Sequence, residues 1–320
     1  MKNKAIIIVA GEPKSIFFEI FFKSIKTKKY KSPLILICSK KLLEQQMKKL
    51  KFRKYLKLLD IKRIKKYKLN NKFINIINVD LKRSSKKNIN NQLSRDYILK
   101  SFELGFQLIK NKFTYKFING PINKGKFLNK NYLGVTEFIA NKFKKKKIGM
   151  LIYNKDLSVC PITTHLPLKL VAKKINMKLI IEKIKILDDF YLKNFGFKPK
   201  IAVTGLNPHC ESILNFNEDD KIIAPSIKIL KKRFKIAGPF PTDTLFLKDN
   251  RKKYDVILGM YHDQVLTPIK TLFEYDAINI TMGLPFLRIS PDHGPNEKMI
   301  GKNKSSALSL IKALNFLDSK

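Results

Sequence analysis

Apolar residues along this chain follow two alternating rhythms. Short runs rich in Ile, Val, Leu and Phe occur at residues 5–10, 33–38, 73–79, 117–118, 148–153, 201–204, 256–260 and 278–281. They are too short for helices and apolar at consecutive positions, as strands buried on both faces are. Between them, residues 93–110, 168–193, 218–234 and 305–317 carry apolar positions at three- and four-residue spacing, the period of a helix with one face on a core. This alternation predicts an α/β fold with helices covering both faces of the sheet. No internal repeat interrupts it, and the polar segment 82–91 reads as a surface loop. Polar, Gly/Pro-containing junctions near Gly134 and Pro291 suggest the division of the chain. Residues 1–134 with 292–320 would form a first α/β lobe, and 135–291 a second that carries most of the candidate chemistry.

Composition changes this picture little. With 320 residues and 44% hydrophobic content the chain can bury a substantial core. Its formal charge of +41 raises the possibility of nucleic acid, because clustered basic residues neutralise phosphates. However, only seven of the 66 basic residues are Arg, the residue that reads bases and phosphates with a planar fork. Lys, Ile, Asn and Phe are abundant together, as a coding bias acting on tolerant positions produces, so no nucleic-acid partner is expected. Three scattered cysteines, Cys38, Cys160 and Cys210, make no disulfide framework and point to a reducing, cytoplasmic setting. The apolar run at 5–10 is cut by Glu12 and reads as a first strand rather than a signal peptide. No stretch reaches the roughly 18 to 20 apolar residues of a membrane span, and no membrane association is expected.

Only four histidines occur, each in a short segment rich in Pro, Gly, Asn, Asp or Thr: His165, His209, His262 and His293. A lone histidine is usually a packed or surface residue. The first three, however, each follow an apolar run that reads as a strand, and strand carboxyl ends line the ligand crevice of α/β sheets. Three imidazoles with an open position suit a catalytic divalent ion, with Zn²⁺, Co²⁺ or Ni²⁺ favoured over Mg²⁺ by ligand softness. The spacing alone matches no compact zinc signature.

Ordered motifs then become specific. They are Asn119-Gly-Pro-Ile-Asn-Lys124, Gly134-Val-Thr-Glu-Phe138, Thr163-Thr-His-Leu-Pro167, Gly205-Leu-Asn-Pro-His209, Gly238-Pro-Phe-Pro-Thr-Asp-Thr-Leu-Phe246, Met260-Tyr-His-Asp-Gln264, Asn279-Ile-Thr-Met-Gly-Leu-Pro-Phe-Leu-Arg288 and Asp292-His-Gly294. Across nearly its whole length the chain resembles the 4-hydroxythreonine-4-phosphate dehydrogenase family of pyridoxal phosphate biosynthesis. The resemblance implies two α/β/α lobes around a cleft, like isocitrate and isopropylmalate dehydrogenases and unlike an ordinary Rossmann NAD domain; no Gly-x-Gly-x-x-Gly occurs. It implies a metal on His165, His209 and His262, with ligands shared across a homodimer, Zn²⁺ being expected and Co²⁺ or Mg²⁺ the alternatives. It also implies substrate contacts from Thr136, Lys270, Asn279 and Arg288, with Asp243 and Asp263 near the reacting groups. The implied activity is metal-dependent, NAD- or NADP-linked oxidation of the small phosphorylated substrate 4-phosphooxy-L-threonine to a 3-oxo acid, which decarboxylates to 3-amino-2-oxopropyl phosphate.

Other roles stay open for several of these residues. Thr136 could cap a helix, as could Asp243 and Asp263, and Cys210 could be a fourth soft ligand or simply a packed residue. Arg288 stands out because Arg is scarce here, and bidentate anion binding is a use Lys cannot copy. The chain also departs from the family. Val135 replaces a histidine, and residues 11–19 read Gly-Glu-Pro-Lys-Ser-Ile-Phe-Phe-Glu in place of Gly-Asp-Pro and a glycine-rich turn. The stretch from Cys210 to Phe216 lacks the usual glycines. These changes keep two alternatives alive: the same chemistry on a related phosphorylated sugar acid, or a catalytically impaired metal-binding homologue.

Overall fold

The computed structural model describes residues 3–81, 91–128, 132, 134–211, 216–291 and 294–320; the predicted loop at 82–91 lies outside them except for Asn91, which opens a helix, and so does the Asp292-His293 pair. In chain order the strands are β1 (Ile6–Val9), β2 (Leu34–Cys38), β3 (Leu56–Leu58), β4 (Ile74–Asn78), β5 (Lys116–Asn119), β6 (Gly149–Tyr153), β7 (Ser158–Pro161), β8 (Ile201–Thr204), β9 (Ile236–Phe240), β10 (Val256–Gly259), β11 (Ile278–Met282) and β12 (Leu287–Pro291). They belong to two compact units, Met1–Val135 with Pro285–Lys320, and Thr136–Leu284.

In the first unit the strand order is β3-β4-β2-β1-β5-β12, and every pairing is parallel. Strand β12 belongs here because Leu287, Arg288 and Ile289 pair with Lys116, Phe117 and Ile118 of β5. All four residues of β1 are fully buried. Since side chains alternate between faces, both faces of that strand are covered. The helix Asn91–Lys110 packs on β1 and β2, and Phe17–Thr27 packs on Leu308–Asp318.

Two glycines let the β1 and β5 ends approach closely. Gly11 has φ +81°, and a Cβ there would lie 2.4 Å from Pro121 O; one on Gly120 would lie 2.2 Å from Ala10 O. Although the glycine-rich turn of the family is missing, the turn survives. Glu12 N–H donates to Pro121 O at 2.9 Å, and Ser15 Oγ donates to Glu12 O at 2.7 Å while accepting from Phe17 N–H at 3.3 Å. A serine side chain thus supplies local bonds that lead into the helix Phe17–Thr27.

The second unit is mixed, in the order β11-β6-β7-β10-β8-β9. Strands β11, β6 and β7 pair antiparallel, and β7, β10, β8 and β9 parallel. Its core gathers Ile152, Val159, Ala202, Ile257, Val265 and Ile269. The continuous helix predicted at 168–193 is broken: a 3₁₀ turn at Leu168–Leu170 and a single turn at Val171–Lys174 precede the helix Met177–Phe195. Asn176 causes the restart, its side chain accepting from Leu179 N–H at 2.9 Å, the bond of a helix N-cap. Asn176→Ala is expected to lower stability by about 1 kcal/mol, readable as a shift in the denaturant midpoint with activity unchanged. Residues 218–234 are likewise not one regular helix. A π-turn at Asp219–Ile223 leads into Ala224–Leu230, where Pro225 lacks the N–H that a regular helix would direct at residue 221. Among the described residues no helix is long and apolar enough to cross a membrane.

Candidate functional site

The parallel pairing of β7 with β10 continues past their last residues. Ile162 N–H donates to Gly259 O at 2.7 Å and Thr163 N–H to Met260 O at 3.2 Å, and Thr163 Oγ1 donates to that same Met260 oxygen at 2.8 Å. Two segments therefore leave the sheet side by side. One leads to His165; the other passes through Tyr261, the N-cap of the helix His262–Phe273, to His262. Their ring centroids lie 6.1 Å apart with planes inclined by 38°. Each Nδ1 faces a carboxylate. His262 Nδ1 lies 2.6 Å from Asp263 Oδ1, and His165 Nδ1 lies 3.7 Å from Glu137 Oε1.

Glu137 stands in the first turn of the helix Val135–Lys142 and also accepts from Thr164 Oγ1 at 3.4 Å. Burial pushes its carboxyl up, but His165, its own backbone N–H and Thr164 together hold it below the ordinary glutamate value. A cavity of about 30 Å³, room for one water, is lined by Thr136, Glu137, Gly149, Thr164, His165 and Lys183, among others.

A buried glutamine ties this pair to the neighbouring loops. Gln264 Oε1 accepts from Thr204 Oγ1 at 2.9 Å and from Met260 N–H at 2.7 Å. Its Nε2 donates to Gly205 O at 2.7 Å and to Thr242 Oγ1 at 3.0 Å. With two bonds accepted and two donated, the amide is fully satisfied. It joins the ends of β8 and β10 to the turn Thr242–Leu245, the places from which His209, His262 and Asp243 project. The loop after β8 is further held by buried Asp219, which accepts from Leu206 N–H at 2.8 Å and Asn207 N–H at 3.0 Å.

His209 lies beyond this loop in a 3₁₀ turn, with φ 56° and ψ 10°. Among the described residues no group of three or more His, Cys, Asp or Glu that could hold a metal is gathered. A single chain thus brings together His165 and His262 but does not add His209. Cys210 packs towards Gly205, where a Cβ would meet its Sγ at 2.5 Å. Burial, aided by Asp219, pushes its thiol up to about 11.

The remaining predicted residues are placed as follows. Thr136 is the second residue of its helix, which begins at Val135, so it does not occupy the capping position. Asp243 and Asp263 likewise lie inside the first turns of Thr242–Leu245 and His262–Phe273. Asp243 is exposed and accepts from Thr244 N–H at 2.9 Å. Lys270 lies half-buried two turns along the His262 helix. Asn279, on β11 opposite Ile152, has a buried Oδ1 with no hydrogen-bond partner among the described residues. Val135 is buried. In the first unit Arg288 is 2% exposed, and its Nε donates to Asn119 Oδ1 at 2.8 Å. Glu137, Gln264 and Asp219 were not singled out from the sequence. The first two stand inside motifs already quoted, one residue past Thr136 and two past His262.

Similarity to known proteins extends along nearly the whole chain. The family model of the pyridoxal phosphate biosynthetic protein PdxA matches residues 29–317. A 4-hydroxythreonine-4-phosphate dehydrogenase from Sulfurihydrogenibium sp. (strain YO3AOP1) is 34% identical over 319 residues, covering 97% of this chain and 96% of the relative. The Vibrio cholerae 4-hydroxythreonine-4-phosphate dehydrogenase is 30% identical over 99% of this chain and 97% of its own length. The crystal structure of the Klebsiella pneumoniae 4-hydroxythreonine-4-phosphate dehydrogenase superposes with a TM-score of 0.81 at 28% identity, covering 98% of each chain. The α/β fold, the order of the motifs and this full-length similarity lead to one conclusion: the chain belongs to the PdxA family of pyridoxal phosphate biosynthetic proteins and is an oxidoreductase.

Proposed function

We propose that the chain is a metal-dependent, NAD- or NADP-linked dehydrogenase of 4-phosphooxy-L-threonine, acting as a homodimer. The product is the 3-oxo acid, which decarboxylates to 3-amino-2-oxopropyl phosphate on the route to pyridoxine 5′-phosphate. The observation that carries this reading is the pairing of His165 and His262 at the ends of adjacent parallel strands, rings 6.1 Å apart. The donor set fits a divalent ion. A carboxylate at each Nδ1 leaves Nε2 as the ligating nitrogen, the usual outer-shell arrangement of metal-bound imidazoles. On this reading the ligands are shared between the two chains of the homodimer. His165, His209 and His262 would hold the ion, which when bound supplies Lewis acidity toward the substrate hydroxyl; Zn²⁺ suits three imidazoles, with Co²⁺ or Mg²⁺ as alternatives.

The chain's own residues do the rest. Asp263 holds the proton of His262 on Nδ1, and exposed Asp243 is the second proton-handling carboxylate. The unsatisfied Asn279 Oδ1 accepts from a substrate N–H or O–H, which removes the cost of leaving it unpaired. Thr136 and the N–H groups of its helix's first turn receive the phosphate, with Lys270 adding positive charge. Arg288, its guanidinium plane fixed by Asn119, is assigned to an anionic group of the substrate. Buried Val135 offers no polar contact where the family has histidine, and that favours a second reading, the same oxidation of a phosphorylated sugar acid.

The test is reduction of NAD⁺ and NADP⁺ by the full chain with 4-phosphooxy-L-threonine, with added Zn²⁺, Co²⁺ or Mg²⁺ and with chelator, beside His209→Ala. Metal-dependent turnover that chelator abolishes and His209→Ala loses is the expected result. Absence of turnover with metal bound would sink the leading reading and turn the assay to phosphorylated sugar acids.

A further inference from the structure

We infer that Glu137 is a positioning residue: its carboxylate, facing Nδ1 of His165 at 3.7 Å, keeps the imidazole proton on that nitrogen and thereby presents His165 Nε2 for ligation. The inference rests on the metal site proposed above. Neutral imidazole carries one proton, on either nitrogen, and only the nitrogen without it can bind a metal. What sits beside Nδ1 therefore decides how much of the ligating tautomer exists before metal arrives. Glu137 Oε1 sits there, 3.7 Å away, and both side chains are largely buried, at 27% and 23% exposure.

Two features hold the carboxylate in place. The helix Val135–Lys142 carries it in its first turn, where the positive end of the helix dipole favours a negative charge. Thr164, the residue before His165, donates its hydroxyl to the same Oε1 at 3.4 Å. Among the described residues, Glu137 Oε2 is buried with no hydrogen-bond partner, so it is Oε1 that meets Thr164 and His165. A short inward shift of the imidazole would convert the 3.7 Å approach into a full charge-assisted bond. His262 already shows the closed form of that arrangement, with Asp263 at 2.6 Å from its Nδ1. The two adjacent imidazoles thus share one design, with carboxylates drawn from different elements.

A purely structural glutamate in a helix's first turn would change stability without changing the state of a histidine. The experiment therefore reads ¹⁵N shifts of the imidazoles in metal-free protein, alongside Zn²⁺ affinity by competition with a chelating indicator. Wild type, Glu137→Gln, Glu137→Ala and His165→Ala are compared; with four histidines in the chain, His165→Ala identifies the signal. The expected result is a wild-type His165 protonated on Nδ1, a shift towards the Nε2-protonated form in Glu137→Ala, and Zn²⁺ affinity lower by about 10- to 100-fold. Glu137→Gln, which keeps an acceptor but not the charge, should fall between. An unchanged tautomer overturns the inference, whether or not affinity falls. If wild type binds no metal, the metal site is wrong, and the tautomer comparison still decides the Glu137–His165 pairing by itself.

Discussion

Gly120→Ala is expected to destabilise the first unit by about 3–5 kcal/mol, the range reached when a buried site is forced apart. Such a loss is a large share of the roughly 5–15 kcal/mol that holds a typical domain together. The reason is a backbone-on-backbone contact. The new Cβ would lie 2.2 Å from Ala10 O and 2.9 Å from Ala10 C, with Phe17 Cδ2 at 2.6 Å. Phe17 can rotate, but Ala10 cannot yield: its N–H is bonded to Ile37 O at 3.1 Å, and Gly120 N–H is bonded to Val9 O at 2.7 Å. Relief would require parting β1 from β5, fully buried strands inside the sheet. Thermal unfolding checks this, with a midpoint lower by roughly 10 °C. Gly125→Ala is the control. Among the described residues its Cβ meets only Asn123 Oδ1, at 3.7 Å, and alanine in a helix is favoured over glycine. Equal midpoints for the two variants would show that the β1–β5 approach is softer than its geometry indicates.

The same region shows what a sequence reveals and what it hides. Strands β1, β2 and β4 were legible because Ile6–Val9, Leu34–Cys38 and Ile74–Asn78 are almost uninterrupted aliphatic runs, and little else explains such runs between polar segments. Strands β3, β7, β9 and β12 were not legible. Ser158–Pro161 and Leu287–Pro291 mix polar residues and proline into four or five positions, and Leu56–Leu58 is only three residues long. Ile236–Phe240 contains Gly238 and Pro239, tolerated because β9 is the last strand in its unit's order, where a missing N–H breaks no interior ladder. Asn176 was hidden for the opposite reason. Apolar periodicity continues on both sides of it, so the restart of the helix is written only in its side-chain bond to Leu179 N–H.

The site divides in a similar way. His165 and His262 could be picked out because histidine is scarce and both follow strand-like runs. That they would stand side by side depends on β7 pairing with β10, a partnership between strands separated by about a hundred residues that no local pattern encodes. Gln264 and Glu137 escaped notice because a glutamine or glutamate in a short polar motif is ordinarily a solvent-facing residue. Their importance appears only when four bonds converge on one amide, or when a carboxylate meets the one ring nitrogen that sets a tautomer.

On the proposed reading, His262→Ala is expected to lower kcat/KM for 4-phosphooxy-L-threonine by at least about 1,000-fold, equivalent to roughly 4 kcal/mol of transition-state stabilisation. The fold should tolerate the change. The His262 side chain is 34% exposed and its Nδ1 meets its neighbour Asp263, itself 81% exposed, whereas the interior bonds at this helix start are made by Gln264. Thermal midpoints of variant and wild type should therefore agree within a few degrees. Asp263→Asn keeps the ring and changes only what its Nδ1 faces, so a smaller loss of about 10- to 100-fold is expected. Gln264→Ala should behave differently from both. It leaves Thr204, Met260, Gly205 and Thr242 without their shared partner, so stability and activity should fall together. Steady-state kinetics and melting curves on the three variants separate ligand, orienting group and scaffold. If His262→Ala retained more than a tenth of wild-type kcat/KM, the paired histidines would not be the centre of the reaction, and the proposed function would lose the observation that carries it.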